Sequence, residues 1–122
     1  MAGVTPQTAA RHTAQRAARA ALDKKAADLT VLDVHGVSSV TDYFLVCSGK
    51  STPHLRTIVD AIRTELKAEG IRPLHAEGKA ESGWVLLDYG DVLVHVFLEA
   101  TRAYYALERL WGDSPSVSVD GA

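Results

Sequence analysis

Several groups of residues are of types that could carry chemistry. Ser48-Gly49-Lys50-Ser51-Thr52 lies between an apolar run and a helix-start signal, where a phosphate-binding loop would sit. The full motif needs a glycine five residues before Gly49, and Phe44 holds that position. Without that glycine the backbone lacks the freedom to wrap a phosphate, so the segment reads as a turn with helix capping. Asp88 and Asp91 could aim two carboxylates at one cation across a tight turn. No third ligand is near them in sequence, which favours turn chemistry or contact with a basic partner. His95, between Leu93 and Phe97, could serve as a base, but no nucleophile or orienting acid accompanies it at a telling spacing. His35, His54 and His75 show no ligand spacing either. Cys47 lies in an apolar run and reads as an inert buried thiol. These readings predict no catalytic residue, no metal and no cofactor.

The stretch that must position most of these groups is residues 84–98, WVLLDYGDVLVHVFL. Two apolar runs around a Gly-containing turn are a short-range hairpin signal. A loop of Tyr89-Gly90, or a four-residue loop including both aspartates, sets Leu87 against Val92, Leu86 against Leu93, Val85 against Val94 and Trp84 against His95. Side chains alternate along a strand, so two faces separate. One carries Val85, Leu87, Val92, Val94, Val96 and Leu98, all aliphatic, and reads as core lining. The other carries Trp84, Leu86, Asp88, Asp91, Leu93, His95 and Phe97 and reads as a surface made to be touched. Tryptophan is enriched among interface hot spots, where truncation typically costs ~2–4 kcal/mol of binding.

Around the hairpin the chain predicts a first helix over about residues 6–27, with Thr5 as cap and Pro6 at the first helical position. The first 22 residues contain arginines but no acid, a composition shared with organellar transit peptides; the helix signals favour the helix. Residues 29–34 and 43–47 read as strands. A second helix opens at Pro53 with Ser51 or Thr52 as cap, buries Leu55, Ile58, Val59, Ile62 and Leu66, and stops at Gly70. Residues 71–75 read as a short third strand, at an edge or irregular because of Pro73. Residues 77–83 read as a polar loop. A last helix over roughly 100–111 places Tyr104, Leu107 and Trp111 on one side. The order α-β-β-α-β-β-β-α describes one α+β domain over residues 1–112, with a mixed sheet whose helices pack mainly on one face, followed by a mobile tail over 113–122. With the helices assigned to the aliphatic face, the Trp84/His95/Phe97 face is left without an internal partner, and such a face is uncommon unless another molecule covers it.

Composition narrows the function classes. The chain has 122 residues, 47% of them hydrophobic, and a net charge of −2. That balance gives no global field toward nucleic acid, and no basic stripe with interleaved aromatics marks an RNA binder. No apolar run approaches the ~20 residues that span a bilayer. A single cysteine excludes an intrachain disulfide and fits a reducing compartment.

The blocks Ser39-Val40-Thr41-Asp42-Tyr43-Phe44, Cys47-Ser48-Gly49, residues 84–92, His95-Val96-Phe97 and Leu107-Glu108-Arg109-Leu110-Trp111-Gly112-Asp113 resemble the ribosomal silencing factor family, the RsfS or Iojap-like group. The resemblance covers about residues 17–115. It implies a nucleotidyltransferase-like topology without catalytic residues, in a bacterial cytoplasmic protein. It implies a factor that binds the fourteenth protein of the large ribosomal subunit on the intersubunit face, blocks joining of the small subunit, and represses translation under nutrient limitation. Organellar members instead help large-subunit assembly, and free bacterial members look dimeric. The family's contact tryptophan maps onto Trp84 and its acidic turn onto Asp88-Tyr89-Gly90-Asp91, so the partner surface is expected at Trp84, Leu86, Asp88, Tyr89, Gly90, Asp91, Leu93, His95 and Phe97. The alternative is a small nucleotidyltransferase-like, nucleotide-binding enzyme. Such an enzyme wants a Gly-Ser turn followed by carboxylates converging on magnesium; Ser48-Gly49 is present, but no Asp-x-Asp follows.

Overall fold

The protein is described by a computed structural model over residues 6–36, 41–100 and 117. Helix α1 (Pro6–Asp23) leads into strand β1 (Ala27–Asp33), β2 (Tyr43–Gly49), helix α2 (Thr52–Ala68), β3 (His75–Lys79), a 3-10 turn (Ala80–Ser82), β4 (Trp84–Asp88) and β5 (Val92–Leu98). Glu99 and Ala100 are helical, and the rest of the helix anticipated over 100–111 lies outside the described residues.

Five strands form one sheet in the order β1-β2-β5-β4-β3. β2 and β5 are parallel and every other pair is antiparallel, so the sheet is mixed, as the sequence predicts. Parallel neighbours need a crossover, which α2, β3 and β4 supply. β2, YFLVCSG, is buried along its whole length because it is central and apolar on both sides. Tyr43, Leu45 and Cys47 join the helix-side core, whereas Phe44 and Val46 join a second cluster on the far side.

The two helices close the first of these faces. Leu55, Ile58, Val59, Ile62 and Leu66 of α2 are buried, as their 3–4 spacing requires. α1 contributes Ala10, Ala14, Ala17, Ala18 and Ala21, each no more than 1% exposed. An alanine stripe lets a helix backbone come close to its neighbours, so α1 packs against α2 and the sheet without a large side chain. Arg16 bridges the two helices, pairing with Glu65 and, at 2.7 Å, with Glu69. Gly70 follows the end of α2 with φ +78°, the left-handed conformation that stops a helix.

Two expectations about the strands need correction. The third strand is not residues 71–75 but His75–Lys79, displaced into the segment read as a polar loop. Pro73 has no N–H to give a ladder, and β3 pairs with β4 from His75 onward, opposite Asp88. Its edge position is as predicted. The hairpin register also slips by two residues: Trp84 faces Phe97, Val85 faces Val96, Leu86 faces His95 and Leu87 faces Val94. The chain turns at Gly90-Asp91, between Tyr89 and Val92, where the Tyr89 N–H donates to the Val92 carbonyl at 2.9 Å. Gly90, at φ +84°, is the first central residue of that turn, where hairpin turns require positive φ. A slip of two preserves the faces, so the aliphatic and mixed sides separate as the alternation predicts. Of the tail anticipated over 113–122 only Val117 is among the described residues; its N–H donates to the Val31 carbonyl at 2.8 Å, and it packs against the helix-side core.

Candidate functional site

The far face of the sheet is built from residues that share it by register. Trp84, Leu86 and Asp88 of β4 lie opposite Phe97, His95 and Leu93 of β5, and those lie beside Ser48, Val46 and Phe44 of β2. No residue of α1 or α2 joins the cluster that forms here, which gathers Leu32, Val34, Phe44, Val46 and Phe97 with Trp84 and Leu93 packed against it. The expectation that helices leave this face to other contacts therefore holds for α1 and α2.

The face is not bare, however. Phe97 is 1% exposed and His95 is 7% exposed, so neither is available to a partner as the chain stands. Phe44 and Val46 of β2 stand beside them in this cluster. Aromatic rings complete the closure. His95 lies 4.6 Å from Phe44 between ring centroids and 5.9 Å from Phe97, with the latter planes 4° apart. Trp84 stacks beside both, 6.0 Å from His95 and 6.1 Å from Phe97. Its indole N–H donates to His95 Nδ1 at 3.1 Å. Burial pushes the His95 imidazole down to about 4, so at neutral pH it is uncharged and accepts that bond. His95 is therefore an acceptor that fixes Trp84.

Trp84, Leu86 and Leu93 remain partly exposed, and Asp91 is exposed at the tip. The Asp88 carboxylate accepts the Gly90 N–H at 2.7 Å, the turn role its type suggests. Tyr89 is misplaced in the sequence reading. Its ring packs against the helix-side core, with its hydroxyl buried and without a hydrogen-bond partner among the described residues. Odd-numbered residues of this strand point toward the helices, and Tyr89 obeys that alternation beyond the strand end. Burial raises its phenol, with the Arg63 guanidinium pulling the other way.

The site also has neighbours that the sequence did not single out. Leu74 is 76% exposed, the one large apolar side chain so placed among the described residues, and it lies against Gly90 at the hairpin tip. His75, Glu77 and Lys79 of β3 stand opposite Asp88, Leu86 and Trp84 and so edge the same face, with His75 and Glu77 bonded at 2.9 Å. The only sequence signal for either was Pro73, which marked an irregular entry to the edge.

The segment Ser48–Thr52 behaves as a cap. The Ser51 hydroxyl accepts the His54 N–H at 3.1 Å, and the Lys50 N–H donates to His54 Nδ1 at 2.9 Å. His54 Nε2 in turn meets the Lys24 carbonyl at 2.7 Å, tying the end of α1 to the start of α2. Ser51→Ala is expected to lower stability by about 1 kcal/mol, measured as a shift in the urea midpoint at constant slope. Among the described residues no three His, Cys, Asp or Glu side chains converge as a metal site.

The chain is thus an α+β fold, a small mixed sheet with both described helices on one side and an acid-tipped, indole-bearing hairpin within it. The profile of the family described as "Ribosomal silencing factor during starvation", RsfS, matches residues 6–122. The chain is 46% identical to the ribosomal silencing factor RsfS of Bacillus subtilis over 104 residues, covering 85% of this chain and 88% of that protein. It is 42% identical to that of Halalkalibacterium halodurans, covering 88% and 92%. A crystal structure of a Chromobacterium violaceum protein superposes with a TM-score of 0.80 at 32% identity, covering 92% of each chain. The chain belongs to the ribosomal silencing factor family.

Proposed function

We propose that the protein is a ribosomal silencing factor that binds the fourteenth protein of the large ribosomal subunit on the intersubunit face. There it blocks joining of the small subunit and represses translation under nutrient limitation. It acts without catalysis, in the bacterial cytoplasm. The observation that carries this reading is the hairpin: partly exposed Trp84, Leu86 and Leu93 lead to an acidic tip at Asp88 and Asp91. An apolar patch with an acidic rim suits a basic ribosomal protein, since rim charge steers encounter while the aromatic holds the complex. Gly90 shapes the tip, while His95 and Phe97 support Trp84 from beneath. Leu74, beside Gly90, extends the apolar surface. A free homodimer would have to leave this tip open or dissociate before docking.

The nucleotidyltransferase-like enzyme reading draws no support from Ser48–Thr52, because the Lys50 amide and the Ser51 hydroxyl already bond His54. The test is sedimentation of the tagged protein with purified large subunits, followed by addition of small subunits. Co-migration and loss of joined ribosomes are expected; absence of co-migration overturns the reading. Asp91→Lys leaves the turn intact, because only the Asp91 carbonyl serves the fold, accepting from Asp42 and Tyr43. The substitution is expected to slow association severalfold and to weaken its salt dependence, measured by stopped flow across ionic strength.

A further inference from the structure

The side of the molecule where α2 meets β3 has a different character from the acidic tip. Arg63, Thr64, Lys67, Ile71, Arg72 and Pro73 line a cavity of about 330 Å³ that contains no acid. A second cavity of about 270 Å³ shares Arg63 and adds Arg56, Lys79 and Glu81. The two share Arg63 and form a trench with four cations against one carboxylate on the helix side, Lys79 of β3 standing at its margin, on a chain whose net charge is −2. That carboxylate is already paired, Glu81 with Arg56. Arg63, Lys67 and Arg72 form no ion pair among the described residues, and neither acid of α2 lines the two cavities. Glu65 pairs with Arg16, and Asp60 lines the cleft toward α1. From Arg56 to Lys67 the cations run along about 16 Å of helix at 1.5 Å per residue.

Unpaired like charges held side by side repel one another, and a bound polyanion relieves that repulsion. Apolar lining comes from Ile71 and Pro73 in the first cavity and from Val59, Ala76, Ala80 and Val85 in the second, but Val59, Ala80 and Val85 are buried and no aromatic is among them, so the trench favours a chain of closely spaced charges over a folded acidic protein that needs an aromatic anchor. We propose that this trench holds RNA backbone phosphates when the protein is docked on the large ribosomal subunit. The proposal rests on that docking. It gives the protein two complementary surfaces for a ribonucleoprotein particle, an acidic tip for its basic protein and a basic trench for its RNA. The contact is with phosphate and carries no sequence preference.

The test compares the full chain, the variant Arg63→Gln/Lys67→Gln/Arg72→Gln, and a control with the same charge loss on α1 and the turn after it, Arg11→Gln/Arg19→Gln/Lys24→Gln. Binding to purified large subunits is measured across a salt series. The trench variant is expected to bind at least tenfold more weakly at low salt. Its slope of log K against log salt should be shallower by about 2, since each phosphate contact contributes about 0.7 with single strands. The control stays near wild type. Ultraviolet cross-linking of the wild-type complex, read by mass spectrometry, is expected to place nucleotide adducts within residues 63–73. Equal slopes for the trench variant and wild type, or protein adducts alone in that segment, overturn the trench while leaving the docking intact. Failure of wild type to bind large subunits overturns the docking itself.

Discussion

Trp84→Ala is expected to weaken association with large subunits by about 30- to 1,000-fold, the ~2–4 kcal/mol typical of a buried aromatic anchor. The ring lies at the edge of the protein's own far-side cluster, partly exposed and stacked beside His95 and Phe97. Alanine removes the contact surface and also strands the His95 Nδ1 acceptor that the indole N–H now satisfies. Stability must therefore be read beside binding. Trp84→Phe separates the two effects, since it keeps an aromatic face over Phe97 but loses the N–H. The phenylalanine variant should retain more binding than alanine while sharing the loss of the hydrogen bond, seen as a similar part of the drop in urea midpoint. Undiminished sedimentation of Trp84→Ala with large subunits would remove the hairpin from the interface.

What the sequence made legible was decided by periodicity. Strict alternation in residues 84–98 separates the two faces correctly even though the register is two residues off, because a shift of two returns each side chain to its own side. The α2 stripe is equally plain, since large aliphatics at 3–4 spacing have one place to go. The α1 stripe was not, because alanine on a buried face and alanine on a wet one look alike in sequence; only the packing shows that Ala10, Ala14, Ala17, Ala18 and Ala21 form one line. The candidate site was half legible. Trp84 and the aspartates could be placed from type and turn chemistry, but the closure of His95 and Phe97 depends on Phe44 and Val46, brought alongside by a parallel pairing far apart in sequence. The basic trench was invisible for a similar reason. Arg63 and Lys67 belong to α2 and Arg72 to the connection after it, and a net charge of −2 hides their gathering on one side.

Lowering the pH should destabilise the protein through His95. The imidazole sits 7% exposed among Phe44, Trp84 and Phe97, and burial holds it down to about 4 against an ordinary value of 6.5. The unfolded chain therefore takes up a proton at a pH where the folded chain refuses it. Stability is fully present above 6.5 and is lost as pH falls from there toward 4, at about 1.4 kcal/mol per pH unit, for a total on the order of 3 kcal/mol. Between pH 6.5 and 5 the loss should be about 2 kcal/mol. Two other kinds of group do not cancel it. His35 is raised by its hydrogen bond to Asp33, which adds stability below its ordinary value and loses it as pH rises, but that pair is exposed and solvent-screened. Glu69, held low chiefly by its hydrogen bond from His12, acts only below the ordinary carboxylate range. His95→Phe removes the titrating group and should flatten the dependence between pH 6.5 and 5 in urea titrations. In the wild type the His95 ring resonances should remain those of the neutral form at pH 5. Titration of that ring near 6.5, or an unchanged slope in the phenylalanine variant, would show that the far-side cluster is open to water.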